Sequence, residues 1–162
     1  MELQKRNILI LSVAQGLSVT STNINIINTG LVGALLASNV AYATIPLSLQ
    51  FLTVAIFLIP VSLMMGKIGR RPMFLIGALS AFIGCLVVAF SIYEKSFSLF
   101  ILGSILIGFS QANQQFYRYA AADNVSNNLK SKAISLVLAG GVVAAVLGLS
   151  LIHISEPTRR KR

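Results

Sequence analysis

The chain has 162 residues, of which 56% are hydrophobic and 10% charged, and a formal net charge of +9; its mean hydropathy is +0.83. A water-soluble domain this apolar would lack the polar surface needed to cover itself, so the composition excludes an ordinary soluble fold and points to lipid as the solvent. The positive charge does not indicate a nucleic-acid partner, because the basic residues sit at the ends of apolar runs and in a terminal RRKR.

A bilayer core of about 30 Å needs roughly 20 apolar residues per helix. Met1 to Arg6 is a short polar start carrying Lys5 and Arg6, and a first span is expected over about Asn7 to Leu36. Gln15, Ser18, Thr22, Asn25 and Thr29 recur within it at alternating intervals of three and four, which places them along one helix face. Such a stripe belongs against other helices or a water-filled cavity rather than hydrocarbon. Cavity lining by Gln15, Thr22 and Asn25 is the favoured reading. Interhelical hydrogen bonding, at about 0.6 kcal/mol per bond, is the competing one.

An uncharged connection, Ala37 to Ala43, leads to a second span over about Thr44 to Met65, with Pro46 and Pro60 read as shaping the helix. Gly66 to Pro72, GKIGRRP, then puts Lys67, Arg70 and Arg71 into a turn between two long apolar runs. The third span, Met73 to about Tyr93, has few polar side chains apart from Ser80 and Ser91 and is expected to be scaffold. Cys85, the only cysteine, lies inside it and reads as a packing thiol.

After a loop in which Glu94 and Lys95 offset each other, a fourth span is expected over about Leu99 to Ala120. Ser104, Gly108, Gln111, Gln115 and Arg118 form a second stripe of small or polar residues, again spaced four and three apart. Gln111 and Gln115 are candidate cavity residues. Arg118 either binds an anionic group there or snorkels to the interface. The polar turn Asp123 to Lys132 carries Lys130 and Lys132, and a fifth span starts near Ala133. In it Gly140, Ala144 and Gly148 repeat every four residues, a pattern that lets another helix approach closely.

Lys5 and Arg6, the three charges of GKIGRRP, and Lys130 with Lys132 all fall on one side of this arrangement, whereas the other side has Lys95 alone. Basic loops stay in the cytoplasm, so the N-terminus and GKIGRRP are expected there, in a protein integral to the inner membrane.

The spans and the basic turn together resemble the N-terminal half of a major facilitator superfamily transporter, over about Asn7 to Gly148. The family's turn between its second and third helices carries a glycine, an aspartate, and then a basic residue followed by x-Gly-Arg-Arg/Lys. Lys67, Gly69, Arg70 and Arg71 match that pattern, while Ser62 and Gly66 replace its first glycine and its aspartate. The resemblance implies a cytoplasmic gating turn here and a second one at Asp123, Lys130 and Lys132; the charge latch that normally links them lacks its aspartate. It also implies a central cavity lined by the first and fourth helices, where the polar stripes lie, and a peripheral third helix. The arginine that many proton-coupled members carry midway along the fourth helix has no counterpart, since Leu102, Gly103 and Ser104 stand there. Gly140, Gly141 and Gly148 resemble the start of the family's glycine-rich motif on the fifth helix.

From Leu149 to Arg159 the sequence LSLIHISEPTR resembles the direct translation of a transposase sequencing adapter. Residues 149–162 are therefore expected to be a non-native tail, and His153, the only histidine, is given no role. The expectation is an all-α polytopic transmembrane helix bundle, with residues 1–148 forming four complete helices and part of a fifth of the family's N-terminal half. The function so implied is alternating-access transport of a small solute, by efflux or uptake and with proton coupling implied by the family alone. The partners would be the lipid bilayer, a small-molecule substrate and the C-terminal half of the same protein. No nucleic acid, metal or cofactor is expected. The alternative is a small helical membrane protein acting as an assembly or interaction subunit. Enzymatic chemistry is not expected, because no nucleophile, metal cluster or carboxylate pair occurs at usable spacing.

Overall fold

A computed structural model describes residues 2–123, 130–131 and 134–142. The described chain is helical throughout its regular elements: α1 (Glu2–Leu36), a 3-10 turn (Val40–Tyr42), α2 (Ile45–Ile68), α3 (Arg70–Tyr93), α4 (Phe97–Gln114) and α5 (Tyr117–Asp123). Residues 134–142 are helical as well. The chain divides into two compact units, one of Met1–Ile24 with Tyr117–Arg162 and one of Asn25–Phe116.

Among the described residues, two helical stretches are long and apolar enough to cross a membrane by length and composition alone. These are Val40–Ile68, of mean hydropathy 2.1, and Arg70–Tyr93, of 2.5. The core helix of a soluble protein can be equally long and apolar, but it would be mostly buried, and only 17% and 22% of the most apolar parts of these two are. Leu63, Leu75, Leu79, Phe82 and Leu86 are all exposed, as lipid-facing side chains should be. The amides and hydroxyls that form the stripes on α1 and α4 lower the hydropathy of both helices.

In the Asn25–Phe116 unit, α4 packs against both α2 and α3. Each of its neighbours offers a narrow inward stripe at helical spacing: Pro46, Gln50, Thr53, Val61 and Met65 on α2, and Met73, Gly77, Gly84 and Ser91 on α3. Val61, Met65, Met73 and Ala112 form the buried cluster at the α2–α3 joint, with Phe74 and Phe109 packed on it. Phe109 also meets Phe57 edge to face, with ring centroids 5.2 Å apart. Lipid supplies no hydrophobic drive between helices, so their association depends on close van der Waals fit and interhelical hydrogen bonds. Gly84 and Gly103 meet that need where α3 crosses α4. A Cβ on Gly103 would come within 3.0 Å of the Val88 nitrogen and 3.1 Å of the Gly84 carbonyl oxygen.

Caps and breakers set the joints. Asn39 accepts a hydrogen bond from the Ala41 N–H at 3.0 Å and so starts the 3-10 turn. Thr44 precedes α2, whose Pro46 sits in the first turn, where a missing N–H costs nothing. Ser96 caps α4 by accepting from the Leu99 N–H. α2 runs through Pro60 without interruption.

The structure corrects three expected boundaries. α1 begins at Glu2 rather than near Asn7. The seven-residue turn GKIGRRP contracts to one residue, because α2 continues to Ile68 and α3 starts at Arg70. Only Gly69 leaves helical geometry, at φ 91° and ψ 163°, a region of backbone space that is essentially restricted to glycine. The fourth span is also not one continuous helix. At its end Phe116 N–H bonds to the Asn113 carbonyl, three residues back; this tightened turn ends α4 before α5 begins.

Candidate functional site

The residues expected to line a cavity are distributed over both units. In the unit of Met1–Ile24 with Tyr117–Arg162, α1 supplies Gln15 and Thr22, both half-buried. The Gln15 Oε1 and Ser12 Oγ atoms are shielded from solvent without a hydrogen-bond partner. Gly140 and Gly141 of the helical stretch 134–142 pack on this part of α1. A Cβ on Gly140 would lie 2.9 Å from the Ser12 carbonyl oxygen, and one on Gly141 would lie 3.5 Å from Gln15 Cγ. Gly140, expected to pack against another helix, thus lies close to Ser12 of α1; Ala144 and Gly148 lie outside the described residues. The hydroxyls of Ser18 and Tyr117 share a hydrogen bond, tying the α1 stripe to α5.

Arg118 is half-buried on α5. Its guanidinium carbon lies 4.9 Å from the centroid of the Tyr119 ring, a cation–π placement, and its Nε is shielded without an acceptor. Of the turn expected to be the second cytoplasmic one, Lys130 is exposed, whereas Lys132 and the side chain of Asp123 lie outside the described residues.

In the Asn25–Phe116 unit the α1 stripe continues with Asn25, whose Oδ1 accepts from the Thr29 hydroxyl at 3.4 Å. Thr29 is buried, and Leu31 and Leu35 on the same helix are exposed, so the polar face of α1 turns inward and its apolar face outward. On α4, Gln111 is only 7% exposed, while Gln115, displaced by the end of the helix, is exposed. Ser104 is buried and donates to the Phe100 carbonyl at 2.9 Å. α4 ends at Gln114, one residue before Gln115, and Arg118 belongs to α5.

Two buried amides were absent from the expected site. Gln50 on α2 is 0% exposed, with neither amide atom partnered. Asn113 on α4 is 1% exposed; its Nδ2 donates to the Phe109 carbonyl at 3.0 Å, and its Oδ1 is unpartnered. Gln50, Thr53 and the prolines of α2 share a helical spacing, which was the available signal for Gln50. For Asn113 there was only its adjacency to the α4 stripe.

At the α2–α3 joint, Lys67 and Arg71 are exposed and Arg70 is half-buried beside the extended Gly69. The joint at the other end of α3 carries Glu94 and Lys95. One end of α3 is thus strongly basic and the other balanced, and α2 and α4 leave from opposite ends.

These features accord with the comparisons to known proteins. The chain is 40% identical over 148 residues to the riboflavin transporter RfnT of Brucella anthropi, an alignment that takes in 91% of this chain and 37% of that protein. The chain therefore spans well under half the length of this relative. No solved structure matches it. The Major Facilitator Superfamily model matches residues 8–154, and with its helices, small-residue crossings and basic α2–α3 joint the chain is an integral membrane protein of that superfamily.

Proposed function

We propose that this chain is the N-terminal portion of an inner-membrane transporter for a small, uncharged, hydrogen-bonding solute of the riboflavin class, working by alternating access with its N-terminus in the cytoplasm. The observation that carries the substrate class is the chemistry of the candidate lining. Gln15, Thr22, Asn25, Gln111 and Gln115 offer amides and hydroxyls, and among the described residues the acidic ones, Glu2, Glu94 and Asp123, stand at helix ends. A cationic solute would find no counter-charge within the apolar stretches of the described helices, whereas an isoalloxazine with a ribityl chain presents imide, carbonyl and hydroxyl groups that neutral amides can bond in both directions. The similarity to a riboflavin transporter supports the same class.

Arg118 fits as an interface residue or as a donor to a ligand carbonyl. The GKIGRRP joint fits a cytoplasmic gating element, because a one-residue link transmits movement of α2 directly to α3. The test is uptake. The full-length protein, produced in a bacterium that can neither make nor import riboflavin, should restore growth on low riboflavin and accumulate labelled riboflavin saturably. Full expression in the membrane with neither growth nor accumulation would overturn the riboflavin assignment.

A further inference from the structure

The Gln50 carboxamide has two donors and two acceptor lone pairs to satisfy, and it is buried with neither its nitrogen nor its oxygen partnered. In a low-dielectric interior an unmet amide raises the free energy of the conformation that holds it. The donors of two hydroxyls on this face are already used. The Thr53 hydroxyl donates to the Leu49 carbonyl at 2.7 Å, and that of Ser104 to the Phe100 carbonyl at 2.9 Å.

α2 comes this close to α4 only because residue 108 is glycine. A Cβ there would lie 2.5 Å from the Gln50 carbonyl oxygen and 3.0 Å from the Thr53 Cβ. Ser104 and Gln111 stand one turn before and one turn after Gly108 on the same face of α4, and both are buried. The seam between α2 and α4 thus combines a contact tight enough to exclude water with a buried group that gains by admitting it.

We propose that Gln50 is a positioning residue that holds the α2–α4 seam near balance between a closed and an open arrangement, its carboxamide unpaired when closed and bonded to water or solute when open. A solute can shift a conformational equilibrium only by its differential affinity for the two states. A seam sealed by an aliphatic side chain would demand more of that affinity, and one carrying an unpaired amide demands less. The proposal rests on the transport reading for its purpose, but seam opening is measurable without knowing the solute.

The experiment uses the full-length protein in lipid nanodiscs, with Cys85 replaced by serine and Ser104→Cys as a reporter in the seam. The labelling rate by a small water-soluble maleimide is compared in the Gln50 parent, Gln50→Leu and Gln50→Asn, alongside melting temperature. The expected result is slow but measurable labelling in the parent, a slowing of about tenfold in Gln50→Leu, and a rate near the parent's in Gln50→Asn, which keeps the amide. Gln50→Leu should melt no lower than the parent. Absence of labelling in the parent, equal rates in parent and Gln50→Leu, or faster labelling with a lower melting temperature in Gln50→Leu would each overturn the proposal. Riboflavin uptake by the Gln50 protein is measured separately. Lack of uptake beside the expected labelling pattern would sink the riboflavin reading alone, and normal uptake with unchanged labelling would sink the seam alone.

Discussion

The hydroxyl of Ser80 on α3 donates a 2.8 Å hydrogen bond to the backbone carbonyl of Leu106 on α4. Helices in lipid have few such ties, and their measured worth averages about 0.6 kcal/mol because the separated helices also find partners. Ser80→Ala should therefore lower the unfolding free energy of the full-length protein by about 0.6 kcal/mol, read from denaturation in mixed micelles. A loss several times larger would mean that Ser80 contributes mainly through packing.

Gly103 makes a sharper prediction. A Cβ there would lie 2.6 Å from Val88 Cγ2, which can rotate away, but also 3.0 Å from the Val88 nitrogen, which cannot. Gly103→Val forces α3 and α4 apart and should cost about 1–3 kcal/mol. Gly30→Ala on α1 is the matched control, since nothing lies within 4 Å of its Cβ position, and replacing a helical glycine by alanine should stabilise by up to about 1 kcal/mol. Equal melting temperatures for the two variants would contradict the α3–α4 crossing.

The existence of the helices was legible in the sequence because bilayer thickness requires long apolar runs, and the spacing of polar residues marked part of their inward face, although α1 is longer than a bilayer requires and Gln115 ends up exposed. Thr29 and Ser104 are buried and Leu31 and Leu35 exposed, as those stripes require. The joints were less legible. A cluster such as GKIGRRP reads as a loop because glycine and proline are helix breakers in general, yet Gly66 lies inside α2 and Pro72 in the first turn of α3, where its missing N–H is not needed. Gln50 is hard to read from sequence for a different reason. Its spacing with Pro46 and Thr53 marks an inward face of α2, but that spacing does not show that the amide goes without partners, which appears only once α4 is packed against it.

Gly69 tests the joint directly. Its φ of 91° and ψ of 163° cost a residue with a side chain about 1–3 kcal/mol. Gly69→Ala should therefore reduce solute uptake while the protein still reaches the membrane, because the strain falls on the link between α2 and α3 and leaves the buried face of either helix intact. Uptake equal to that of the unsubstituted protein, with unchanged melting, would show that the joint relaxes without consequence.

Sidedness is tested by labelling at the two ends of α3. Lys67, Arg70 and Arg71 crowd one end, while Lys95 at the other is offset by Glu94. Since the bias of lysine and arginine between short loops sets orientation, the α2–α3 joint should face the cytoplasm. Gly66 is exposed with nothing within 4 Å of its Cβ position, so a cysteine fits there without displacing a neighbour. With Cys85 replaced, Gly66→Cys should react with a membrane-impermeant maleimide in inverted vesicles and stay unreactive in intact cells; Ser98→Cys, exposed beyond Lys95, should do the opposite. Replacing Lys67, Arg70 and Arg71 together by alanine should weaken the bias enough for Gly66→Cys to be labelled from both sides. Labelling of Gly66→Cys from outside in the otherwise unchanged protein would invert the topology and move the proposed gating turn to the wrong face of the membrane.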